Sequence, residues 1–156
     1  MNSNQKTSEL KFDARQIRFY EADHRPRTTG VLRAVIPYTT TELTEAALRH
    51  AGACSDLNVQ VSLVDVQVVP FPCPLDQPPI NEEFSRGRLR DLLGKSALPG
   101  RADVSYARDW LEGFRRVLEP QSLVILATRK RWWRTREDKL ARALLKAGHQ
   151  VMLLHV

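Results

Sequence analysis

Residues 128–135, TRKRWWRT, bring Arg129, Lys130, Arg131 and Arg134 together with Trp132 and Trp133. Guanidinium and ammonium groups hold anions, and an indole offers a flat face for a base, so this stretch has the chemistry of an anion or nucleotide site built from side chains. Basic residues interleaved with aromatics also suit nucleic acid, with phosphates on the cations and bases on the indoles. A packing reading stands beside both, in which one indole covers a crevice mouth or joins a dimer contact while the cations stay solvated. Asp65 is the other chemical candidate, either orienting a ligand hydroxyl or capping a local turn.

The remaining reactive residue types form no constellation. His24, His50, His149 and His155 share no metal-ligand spacing, and no Ser or Cys stands in a nucleophile-elbow pattern. Cys54 and Cys73 make no CxxC, so neither a disulfide framework nor a zinc site is expected. Cys54 reads as a small core thiol, Cys73 as a loop thiol, and His50 as a surface residue. The expectation is a protein with no catalytic residues, no metal and no enzymatic activity.

The elements that would position these groups alternate regularly. VLRAVIPY (31–38) is an apolar run of strand length, and the three threonines after it can cap a helix, with Thr39 and Glu42 at capping-box spacing. Leu43, Ala47, Ala51 and Cys54 fall on one face of that helix. A β-branched second strand, VQVSLVDVQVV (59–69), stops at a proline-rich loop that cannot be helical. Asn81 caps a second helix striped by Phe84, Leu89, Leu92 and Leu93, and ADVSYA (102–107) follows as the third strand. Asp109 caps a third helix with the cleanest amphipathic pattern, from Trp110 to Leu118. SLVILA (122–127) is the fourth strand, Thr135 with Asp138 caps the last helix, Gly148 stops it, and VMLLHV (151–156) is the fifth strand.

Continuous apolar strands joined by helical crossovers predict an α/β fold, an open three-layer sandwich with a parallel sheet covered on both faces. In such a sheet ligands gather beyond the carboxyl ends of the strands, where the winding reverses. The candidate crevice is therefore Pro37, Tyr38, Thr39 and Thr40, then Asp65 and Val66, then Thr128, Arg129, Lys130, Arg131, Trp132 and Arg134.

With 156 residues and 42% hydrophobic content, one domain is expected, spanning 30–156 behind a polar extension at 1–29 in which Ile17 and Phe19 hint at an edge strand. No run approaches a membrane span or a secretion signal, which predicts a cytoplasmic protein without membrane insertion. The formal charge of +6 is uneven: two Lys/Arg face seven acids in residues 31–85, whereas sixteen face seven in residues 86–156. A basic half points to nucleotides, nucleic acid or an acidic protein surface as partners.

Over roughly residues 31–156 the chain resembles the universal stress protein family. The resemblance rests on Ile36, Pro37, Thr44, Glu45, Ala47, Leu48 and Ala51 in VIPYTTTELTEAALRHA, on SLVDV in the second strand, and on SLVILATRK with KLARALLKAGHQVMLLHV at the close. It implies a five-stranded parallel sheet in the order 3-2-1-4-5, a stress-response or regulatory role, and a homodimer paired through residues 150–156. ATP-binding members carry an acidic residue after strand one and a G-x-x-G-x9-G-[Ser/Thr] pattern after strand four. Counted here, these positions are Thr39, then Ala127, Lys130, Leu140 and Ala141. Glycines let backbone amides approach phosphate, so their replacement predicts that the ATP cradle is lost or altered and that no adenine nucleotide cofactor is held. The alternative function is an anion, nucleotide or nucleic-acid binding module using residues 129–134.

Overall fold

Aliphatic runs become strands and the polar turns between them cap helices. The computed structural model describes residues 17–20, 31–54 and 58–156. In chain order these form β1 (Ile17–Tyr20), β2 (Val31–Pro37), α1 (Thr41–Ala53), β3 (Asn58–Val68), α2 (Glu82–Ser96), β4 (Gly100–Ala107), α3 (Trp110–Val117), β5 (Leu123–Thr128), α4 (Arg136–Lys146) and β6 (Gln150–His155). The sheet order is β1-β6-β5-β2-β3-β4. Its five strands from β2 onward are parallel, and counted among themselves they run 3-2-1-4-5.

β1 joins antiparallel at the far edge, with Ile17 opposite Leu154 and Tyr20 opposite Val151. Of the expected extension at 1–29, this strand alone lies among the described residues; His24 lies outside them. Because β1 occupies the free edge of β6, two copies cannot pair through residues 150–156 unless β1 is displaced.

Two hydrophobic layers sandwich the sheet. On one face α1 and α2 bury Leu43, Ala47, Leu48, Leu89 and Leu92 against Ala34, Ile36, Leu63 and Ile125. On the other, α3 and α4 bury Phe114, Leu140, Ala141 and Leu144 against Val64, Val66, Leu126 and Leu153. Each fully buried Val, Leu, Ile or Phe side chain among them contributes about 1.5–3 kcal/mol of transfer free energy. Gly113 sets how closely α3 approaches: a Cβ there would stand 2.3 Å from Val66 Cγ1. Among the described residues no helix is long and apolar enough to cross a membrane.

Caps form where their chemistry is local. Asn81 accepts from Phe84 N, Asp109 accepts from Glu112 N, Thr135 and Asp138 form a reciprocal capping box, and Gly148 takes the left-handed turn after α4 at φ 89°. Two expectations are corrected. The cap of α1 is Thr40, whose hydroxyl accepts from Leu43 N, while Thr39 N–H donates to the buried Thr44 hydroxyl, so no Thr39–Glu42 box exists. Phe84 is 69% exposed and does not join its helix's stripe, because α2 turns Ser85 and Leu89 inward instead.

Candidate functional site

The sheet splits where its winding reverses. β2 and β5 pair only at Ala34–Leu123 and Val35–Val124, and beyond those positions β2 follows β3 while β5 follows β6. This divergence opens the place where a doubly wound sheet receives ligands. Ile36, Leu43, Ile125 and Ala127, all buried, fill its floor on the α1 side.

Tyr38 rides the rim. Its N–H donates to Val64 O at 2.7 Å, its hydroxyl lies 3.2 Å from Thr41 Oγ1, and the Arg88 guanidinium stacks 4.4 Å above its ring. Arg88 reaches on to Asp65, whose Oδ2 also accepts from Gln67 Nε2 at 2.8 Å. Gln67 donates in addition to the buried Ser85 hydroxyl. Burial pushes the Asp65 carboxyl above its ordinary value, opposed by the hydrogen bond from Gln67 and the charges of Arg88 and Arg136. Asp65 therefore caps no turn: β3 continues past it to Val68, paired with β4. Val66 points to the opposite face and packs beneath Gly113.

The β5–α4 loop is held at both of its ends. The fully buried Thr128 lies 2.7 Å, hydroxyl to hydroxyl, from Thr135, and its carbonyl accepts from Val156 N. Lys130 N–H donates to Val156 O at 3.2 Å, so the amide at the second counted glycine position is tied to the end of β6. Thr135 N–H donates to Asp138 and Asp138 N–H to Thr135, with Glu137 also in the first turn. A helix N-terminus attracts anions through unpaired amides and its dipole, and here the helix carries its own carboxylates. Leu140 and Ala141 lie inside α4 and are wholly buried.

Two side-chain pairs flank the loop. Arg129 is ion-paired with Glu42 of α1, and Arg136 stacks 3.7 Å over the Trp110 ring. Arg129, Lys130 and Arg131 turn toward the outer flank of α1, where with Arg49 and Glu42 they line a shallow basin of about 590 Å³ ending at Val156. Trp132 is 94% exposed and Trp133 60%, so neither indole is buried over the crevice. A larger concavity of about 610 Å³ lies at the opposite, amino end of the strands, between Arg33, Ser62, Arg101 and the α3–β5 turn.

The expected residues thus divide. Pro37, Tyr38, Thr39, Thr40 and Asp65 gather on the α1–α2 side, Thr128 is sealed beneath the loop, Val66 faces α3, and Arg129 to Arg134 form a separate cationic surface. Gln67, Ser85, Arg88 and Arg136 escaped the sequence reading. Alternation along β3 puts Gln67 beside Asp65, and the i, i+3 spacing puts Ser85 and Arg88 on one face of α2, which is the signal that finds them. His50 is half-buried rather than on the surface, and burial lowers its pKa. Cys54 packs against the core with its thiol pushed up by burial, and Cys73 lies in the proline loop. No cluster of three His, Cys, Asp or Glu suited to a metal occurs among the described residues.

No protein-family model matches the chain, and no curated protein matches it. Among solved structures, the universal stress protein from Archaeoglobus fulgidus aligns with 79% of this chain and 93% of its own, at a TM-score of 0.57. The fold is shared with a universal stress protein. At 14% identity that likeness concerns the backbone arrangement alone, the parallel order and the four covering helices.

Proposed function

We propose that this chain is a divergent member of the universal stress family, acting in the cytoplasm as a non-enzymatic regulatory domain that holds no Mg-ATP. The observation that carries the reading is the internal use of the groups an ATP cradle would present. Lys130 N–H bonds to Val156, Thr135 and Asp138 occupy each other's amides in the capping box of α4, and Arg129 is paired with Glu42 on the α1 flank. A triphosphate would have to break these contacts and meet Glu42, Glu137 and Asp138 nearby. The shared fold supports the family assignment, and the contacts of Arg88 with Asp65 and Tyr38 support reading the rim as a contact surface. In this reading the domain acts through a protein partner, not on a substrate.

Native mass spectrometry of the protein as purified tests it. The bare polypeptide mass is expected. Adenine nucleotide retained at one per chain would overturn the reading.

A further inference from the structure

The side chains of Lys130, Arg131, Trp132, Trp133 and Arg134, in the exposed loop between β5 and α4, play no part in that proposal. Trp132 is exposed to 94% and Trp133 to 60%, their rings 6.4 Å apart and inclined at 62°. Adjacent large apolar groups left in water mark a contact surface. Around them Lys130, Arg131 and Arg134 are exposed and carry no ion pair among the described residues, while the Arg131 guanidinium lies 5.9 Å from the Trp133 ring. Arg49 of α1 adds a further cation across the basin. We propose that this loop and basin bind single-stranded nucleic acid, its phosphates on Lys130, Arg131 and Arg134 and an unpaired base stacked on Trp132.

Three features select this occupant. A second copy, docked by a twofold axis, would set the same cations against one another, an arrangement that like-charge repulsion disfavours. An acidic peptide would satisfy the cations yet leave the indole faces without flat partners, whereas every nucleotide brings a phosphate and a π-face together. A duplex hides those faces in its stack and so offers Trp132 no unpaired base.

The test is anisotropy of a labelled oligothymidylate titrated with the full chain, read with tryptophan fluorescence. Binding is expected with quenching and with a log–log salt slope of about −2, reflecting three phosphates at about 0.7 each on a single strand. Trp132→Ala is expected to weaken binding about ten-fold while keeping that slope, because one stacked base is lost. Lys130→Gln with Arg131→Gln is expected to flatten the slope by about 1.4. These positions are exposed, and an unchanged melting temperature confirms that each variant is folded. No binding at about 10⁻⁴ M protein, where even non-specific complexes form, would overturn the proposal. So would equal affinity for the matching duplex or for polyglutamate, or a Trp132→Ala variant that binds as tightly as the parent.

Discussion

Gly113→Ala should destabilise the domain, and the size of the effect follows from the seat of α3. The added methyl would lie 2.3 Å from Val66 Cγ1 and 2.9 Å from Ala107 Cβ, where ordinary contact begins at 3.4 Å. Val66 and Ala107 are 4% and 2% exposed, so relief requires α3 to lift or β3 to shift by about 1 Å within a packed layer. Overpacking of this kind costs about 1–3 kcal/mol, and the better helix propensity of alanine returns at most about 1 kcal/mol. With the full return subtracted, a net loss of up to about 2 kcal/mol remains, which lowers the melting temperature of a domain this size by up to about 8 °C. Gly87→Ala and Gly94→Ala supply the control, because both lie inside α2 with nothing within 4 Å of the new methyl. Each should raise stability by about 0.5–1 kcal/mol. Thermal unfolding followed by circular dichroism compares the three. A Gly113→Ala midpoint at or above the parent's would refute the packing argument.

Two further outcomes are expected. His149 is 5% exposed and its Nδ1 accepts from Ser122 N, so burial holds its pKa below 6.5 and favours the neutral ring. Its contribution is complete above pH 6.5 and is lost as pH falls from there through the lowered folded value. His149→Gln should therefore flatten the decline of the melting temperature across that window, and an unaltered profile would contradict the assignment. Removing residues 1–20 takes away β1 and bares the β6 edge at Val151–Leu154. The shortened chain should self-associate more than the full one in analytical ultracentrifugation, whereas identical sedimentation would show that β1 does not guard that edge.

The parallel strands and most caps were legible because their signals are local. Val59 to Val69 is β-branched enough to be a strand in any context, and Asn81, Asp109 and Thr135 each sit next to the amides they accept from. Consecutive threonines defeated the finer reading, since Thr39, Thr40 and Thr41 offer the same hydroxyl. The Tyr38–Val64 bond, which joins distant segments, precedes a helix that begins one residue later than the Thr39 cap implied. The crevice was legible as a location and not as a composition. Asp65 stands inside the 59–69 run: β2 stops opposite Val64, and pairing with β4 carries β3 four residues further. Pairing of β1 on β6, and the exposure of both indoles, depend on contacts between remote parts of the chain that no local period encodes.

The central proposal is that the Lys130 amide, the Thr135–Asp138 pair and the Arg129 charge are already engaged within the chain and so disfavour a triphosphate. Isothermal titration of the full chain with Mg-ATP addresses it most directly. The account predicts no saturable heat up to about 1 mM nucleotide, the region of a binding free energy near −4 kcal/mol. A one-to-one isotherm with micromolar affinity would contradict it.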